Sequence, residues 1–143
     1  MEINKFINDD VDVTSLKVLI VDDTPMNLVL MNKLMTFYTF ECIYCKNGEE
    51  ALEAIDNNVI DLILLDIMMP KISGWDILEM NNNNKFGKHI PIICLSALND
   101  SKSIERAKKL GADDWVDKPI LSTFFNSMGN VINKYYSKYG DIH

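Results

Sequence analysis

The chain has 143 residues, 48% of them hydrophobic, and carries a formal net charge of −7 from 14 Lys and Arg against 21 Asp and Glu, which suits one domain with a core large enough to need no staples. The acidic balance argues against a nucleic-acid surface, which needs clustered positive charge. The longest apolar runs, Leu16–Val21 and Leu62–Leu65, are too short to span a bilayer, and no apolar leader opens the chain, so no membrane role and a cytoplasmic setting are expected.

Residues 1–15 are polar, acidic and aperiodic, as in a mobile or loosely docked N-terminal tail. Leu16–Val21 is a continuous apolar, β-branched run suited to a strand covered on both faces, and it ends at Asp22 and Asp23. Thr24-Pro25 reads as a cap followed by a proline in the first helical turn, and Leu28, Met31, Leu34 and Met35 recur at helical spacing. Phe40–Cys45 is the second predicted strand. Its Cys42 and Cys45 make a CxxC, but residues three apart on a strand point to opposite faces, so two ordinary, partly buried thiols are expected. Asn47 with Glu50 three later is a capping-box-like start for a helix to about Asn57.

Asp61–Asp66 is the third predicted strand, again apolar and again ending in aspartate. A loop with Pro70 and Gly74 leads to a helix from Trp75 to Met80, which dissolves into the polar run Asn81–Asn84, read as a frayed end or loop. Ile90–Leu95 is the fourth strand, closed by Ser96. Asp100 or Ser101 caps a helix ending near Leu110, with Gly111 as its stop. Trp115–Asp117 is a short fifth strand before Lys118-Pro119, and the last helix spans Leu121 to Tyr136. The domain is therefore expected over 16–137, with 138–143 as a C-terminal tail and no output domain.

Alternation of buried strands with helices predicts an α/β fold, a doubly wound parallel sheet with helices on both faces. In such sheets ligands bind beyond the carboxyl ends of the strands. Four of the five strands end in polar groups there: Asp22 and Asp23, Asp66, Ser96, and Lys118. Adjacent strands lie about 4.8 Å apart, so these groups can converge on one cleft. Like charges at ~4 Å repel by about 4 kcal/mol at an effective dielectric near 20, so three carboxylates against one ammonium call for a cation. All-oxygen ligands without His or Cys favour magnesium or calcium, and few protein ligands with room for water favour magnesium. A lysine beside a bound cation is explained if an anion comes between them. A phosphoryl group on Asp66 supplies that anion, with Asp66 as nucleophile, Lys118 sharing its charge and Ser96 donating a hydrogen bond.

At this point the sequence resembles the response-regulator receiver domains of two-component signalling. The resemblance rests on Val18-Leu19-Ile20-Val21-Asp22-Asp23, on Asp66-Ile67-Met68-Met69-Pro70 with Gly74, on Ser96-Ala97, and on Gly111-Ala112-Asp113-Asp114 leading to Lys118-Pro119. Thr24-Pro25-Met26-Asn27 looks most like receivers attached to hybrid kinases. The resemblance implies the strand order 2-1-3-4-5 of a flavodoxin-like receiver fold and a phosphoryl group on Asp66. It also implies magnesium held by Asp23, Asp66, the Met68 carbonyl and, through water, Asp22. Lys118 would pair with the phosphoryl group, and the Lys118–Pro119 bond would be cis. The implied donor is a histidine kinase or histidine phosphotransfer protein, and the implied output is a changed surface read by a downstream protein target. A homodimer through the fourth helix, fifth strand and fifth helix is a further expectation. Arg106, Lys108 and Lys109 belong to that region, or otherwise to a solvated helix face.

Ser96 would move toward the phosphoryl group and let the aromatic three residues before the lysine turn inward. That aromatic is Trp115, where the family usually has tyrosine or phenylalanine, so its inward position is expected to be crowded; the other reading is packing at a sheet edge. The resemblance implies that the side chain two residues past the acceptor influences water attack, and since Met68, and Leu98 two past Ser96, offer water no strong hydrogen bond, a fairly long-lived phosphoryl state is expected. Two other classes fit less well. An aspartate-based phosphatase commonly has a second acid two residues after its nucleophile, where Met68 stands. A dinucleotide-binding module needs GxGxxG after the first strand, where Asp22-Asp23-Thr24-Pro25 stands. His89 and His143 have no companions at ligand spacing and receive no role.

Overall fold

The computed structural model describes residues 6–118 and 123–140. Five parallel strands, β1 (Lys17–Val21), β2 (Glu41–Cys45), β3 (Leu62–Asp66), β4 (Ile92–Ser96) and β5 (Asp114–Asp117), form one sheet in the order β2-β1-β3-β4-β5. The helices are α1 (Pro25–Met35), α2 (Gly48–Asn57), α3 (Gly74–Asn82), α4 (Ser101–Lys109) and α5 (Thr123–Tyr136). The expected fold class and strand order are both observed.

Alternation along each strand splits the core in two. Val18 and Ile20 face Met31 and Met35 of α1 and Phe124, Met128 and Ile132 of α5. Leu19 and Val21 face Ala51 and Ile55 of α2, Ile77 and Leu78 of α3 and Ala107 of α4. Both faces of β1 and β3 are thus covered, which is why these strands are apolar at every position rather than at every other one. The same alternation separates the cysteines of β2. Cys42 packs against the first cluster and Cys45 lies in the second, so the CxxC is a feature of strand geometry. Burial pushes the Cys45 thiol up to about 11.

The helix starts follow local chemistry. Asn47 caps α2 by accepting from the Glu50 N–H at 2.8 Å, while Glu50 accepts in turn from the Lys46 N–H at 3.0 Å. Asp100 caps α4 by accepting from the Ser103 N–H, and Gly111 stops that helix at φ +84°, a conformation natural to glycine. Thr24 occupies the cap position of α1, but its side chain makes no cap bond.

Two expectations change. Asn81 is a buried residue of α3, not part of a frayed end. Its side chain accepts from the Ile90 N–H at 3.0 Å and donates to the Ile90 carbonyl at 2.8 Å, so the polar run hides a strut for the entry to β4. Second, residues 6–15 do not hang as a mobile tail. Ile7 is buried in the first core cluster, and the buried Asn133 of α5 accepts from the Asn8 N–H at 2.7 Å while donating to the Phe6 carbonyl at 2.9 Å. A Cβ on Gly129 would lie 2.4 Å from the Phe6 carbonyl oxygen, so this glycine lets the segment lie against α5. The segment looked tail-like because its few apolar residues serve a helix more than a hundred positions away, and no local period can reveal that. His89, given no role, lies with Nε2 3.3 Å from Asp113 Oδ2 and its ring stacked on Tyr135, a packing contact. The Lys118–Pro119 bond and the predicted start of the last helix at Leu121 lie outside the described residues.

Candidate functional site

Parallel strands end together, so the polar residues that close β1, β3, β4 and β5 share one edge of the sheet. Carboxylate oxygens of Asp22, Asp23 and Asp66 come within 4.8 Å of one another. Asp22 is 2% exposed and Asp66 is 5% exposed, so water screens them little, while Asp23 is half-buried at the rim. The Lys118 ammonium lies 2.8 Å from Asp22 Oδ2 and 3.5 Å from Asp66 Oδ1. Its backbone is fixed by a 2.8 Å hydrogen bond from the Lys118 N–H to the Ser96 carbonyl.

Burial pushes the Asp66 carboxyl up to about 6; the Lys118 ammonium opposes that shift and the Asp22 carboxylate adds to it. Asp66 Oδ1 also accepts from the Met68 N–H at 3.2 Å, while the Met68 side chain is exposed at the mouth of the site. The donor set is all oxygen and outweighs its one ammonium, which fits a hard dication such as magnesium. Gly74 brings α3 against the end of β3. A Cβ there would lie 2.6 Å from the Asp66 carbonyl oxygen, and its own N–H donates to the Ile67 carbonyl at 3.0 Å.

Ser96 is fully buried, and its Oγ accepts from the Leu98 N–H at 3.0 Å. The Leu98 carbonyl in turn accepts from the Trp115 indole N–H at 3.1 Å. One peptide of the β4–α4 loop therefore joins Ser96 to Trp115. Trp115 lies on the edge strand β5 and packs there: its ring centroid is 6.2 Å from that of Trp75, and the Arg106 guanidinium sits 4.1 Å over Trp75. Arg106 is thus engaged with α3 although it is exposed, as Lys108 and Lys109 are.

All the expected site residues lie at this edge except Trp115, which stands two residues before the end of β5. Sequence reasoning missed Asn27, whose side-chain amide reaches Asp22 from the first turn of α1. Its spacing from the aspartate was visible, but only the angle at which α1 leaves β1 turns it toward the carboxylate.

The response regulator receiver domain family matches residues 18–125. The chain belongs to that family. This receiver is 33% identical over 103 residues to the polar-differentiation response regulator DivK of Brucella anthropi, covering 72% of this chain and 84% of DivK. It is 36% identical over 110 residues to a probable cyclic di-GMP phosphodiesterase of Vibrio cholerae, covering 76% of this chain but spanning only 24% of that protein's length. Among solved structures, a CheX–CheY–BeF3–Mg2+ complex from Borrelia burgdorferi superposes with a TM-score of 0.78 at 29% identity, over 92% of this chain and 98% of that one. Receiver domains of two-component systems act as phosphorylation switches, and magnesium and phosphorelay signalling are typical of them. No described helix of this receiver is long and apolar enough to cross a membrane.

Proposed function

We propose that Asp66 accepts a phosphoryl group from a histidine kinase or histidine phosphotransfer protein, and that this receiver works as a cytoplasmic signalling switch rather than as a turnover enzyme. The observation that carries the reading is the Lys118 ammonium held against the buried Asp66 carboxylate, within a cluster whose other members are acids. Asp23 and Asp66 directly, Asp22 through water and the Met68 carbonyl would hold a magnesium ion, which when bound neutralises the acidic set and part of the phosphoryl charge.

The chain's own groups supply the rest. Asp66 is the nucleophile. Lys118 shifts its ammonium from the carboxylates to a phosphoryl oxygen, so charge already in place stabilises the transferring group. Ser96 donates its hydroxyl proton to another oxygen, since a serine oxygen that accepts one bond also has a proton to give. That movement loosens the bond to Leu98, and with it the seat of Trp115. The α4–β5–α5 face then changes for a downstream protein or a second copy of the chain. On the donor side, Met26, Val29 and Leu30 are exposed on α1 beside the acidic cluster, which supports docking of the phosphodonor there. The exposed thioether of Met68 gives attacking water no strong hydrogen bond, which favours a phosphoryl state lasting well beyond seconds.

Incubation with acetyl phosphate and magnesium, followed by intact mass, tests the reading. A gain of one phosphoryl mass that is lost in Asp66→Ala supports it. Steady release of phosphate from many small phosphomonoesters would instead favour the phosphatase reading.

A further inference from the structure

Asp22 is almost wholly buried, and its two oxygens are served by three donors. Oδ1 accepts from the Thr24 N–H at 2.9 Å and from Asn27 Nδ2 at 3.3 Å. Oδ2 accepts from Asn27 Nδ2 at 3.2 Å and from Lys118 Nζ at 2.8 Å. The orientation of the Asn27 amide is dictated by chemistry, because an ionised carboxylate only accepts.

The arrangement poses an electrostatic problem that the proposed function sharpens. If Lys118 leaves to meet a phosphoryl oxygen, Asp22, which would reach magnesium only through water, loses its direct ammonium contact while remaining buried. A buried charge without compensating donors is costly. A second lysine at the site would solve this but would repel a bound dication, and a carboxylate would repel Asp22. A neutral amide bridging both oxygens does neither.

We propose that Asn27 is a positioning residue for phosphoryl transfer, holding the Asp22 carboxylate in place as Lys118 is released. The inference rests on the phosphoryl-accepting reading and adds a residue to it. In that transfer an Asp66 oxygen bonds to phosphorus as the donor's bond to phosphorus breaks. With acetyl phosphate the leaving acetate carries off the electron pair. Asn27 makes and breaks no covalent bond and moves no proton.

The test compares wild type, Asn27→Ala and the isosteric Asn27→Asp as full chains. Magnesium affinity is measured by calorimetry, and phosphorylation by acetyl phosphate is followed by intact mass at saturating magnesium. The expected result for Asn27→Ala is a magnesium affinity within about threefold of wild type and a phosphorylation rate lower by about tenfold, the scale of one hydrogen bond to a charged group. Asn27→Asp is expected to be slower still, because it places a like charge against Asp22 and gives Lys118 a reason to stay. Should Asn27→Ala fail to fold, the isosteric variant carries the test alone. Equal rates in wild type and Asn27→Ala would overturn the proposal, as would a parallel loss of magnesium affinity and rate, or an Asn27→Asp protein as fast as wild type. A wild type that takes no phosphoryl group would overturn the underlying reading and this proposal with it.

Discussion

Lys118 Nζ lies 3.5 Å from Asp66 Oδ1, although Lys118 follows β5 and Asp66 closes β3, with β4 between the two strands. The lysine side chain spans that strand with only a fifth of its surface exposed, so the ammonium is held in place by the fold. Replacing it with an apolar side chain of similar length should leave the sheet intact and remove the charge. Lys118→Met is therefore expected to be phosphorylated by acetyl phosphate about a hundredfold more slowly, the usual scale for losing one preorganised electrostatic contact. Intact mass against time, with circular dichroism as the folding control, measures this.

Asp66 gives the stability a defined pH dependence. Its folded-state carboxyl is raised from the ordinary carboxylate range to about 6, chiefly by burial, so the metal-free folded protein binds a proton more tightly than the unfolded chain does. That contribution is fully present below the unfolded value and is lost as pH rises through 6. Asp66→Asn removes it. The variant should be more stable than metal-free wild type by about 1–3 kcal/mol at neutral pH, with the gap closing near pH 4. Magnesium should raise the melting temperature of wild type above pH 6, less so below it, and barely affect the variant. Thermal melts at several pH values, with and without magnesium, check both statements.

The link from Ser96 through Leu98 to Trp115 predicts an optical signal. The chain has two tryptophans, Trp75 and Trp115, and their rings lie together. Beryllofluoride with magnesium should change the intrinsic fluorescence by drawing on Ser96 and disturbing the Leu98 peptide. In Ser96→Ala the change should largely vanish. Trp115→Phe removes the indole N–H and should cost about 1 kcal/mol of stability, that of one ordinary hydrogen bond, together with a little packing. Fluorescence titration and urea denaturation separate the two effects.

The N-terminal segment is part of the folded unit over its described residues, and a single side chain on α5 reports on it. Asn133 is fully buried and satisfies both the Asn8 N–H and the Phe6 carbonyl. Asn133→Ala leaves these two groups without that partner and should cost about 2–4 kcal/mol. Removing residues 1–13 should cost a similar amount or more, since it also uncovers the pocket of Ile7. Chemical denaturation of both variants measures this, and an unchanged midpoint would contradict the packing.

Much of this architecture was legible because its causes are local or periodic. The apolar runs around Leu19 and Leu64 mark strands covered on both faces, and the helical spacing of Met31 and Met35 marks the buried side of α1. The acidic cluster was legible for a topological reason: parallel strands bring their ends together, so polar residues that close successive strands must meet. What escaped depends on contacts between distant segments. Asn81 reads as loop because polar runs usually are, and only its pairing with the Ile90 backbone makes it structural. The docking of Ile7 and Asn8 depends on Gly129 and Asn133, beyond any local pattern. Asn27 lies only four residues past Asp23, yet its contact with Asp22 depends on the angle between β1 and α1.

The central claim is that Lys118 leaves the carboxylates for an anion on Asp66 while the aspartates hold a hard cation. The most direct test is a crystal structure of the chain with magnesium and beryllofluoride. The account predicts beryllofluoride on Asp66, the metal touching Asp23 and Asp66, and the Lys118 ammonium in contact with a fluorine and withdrawn from Asp22. A Lys118 still seated on Asp22 at its present 2.8 Å, with beryllofluoride and metal elsewhere or unbound, would contradict it.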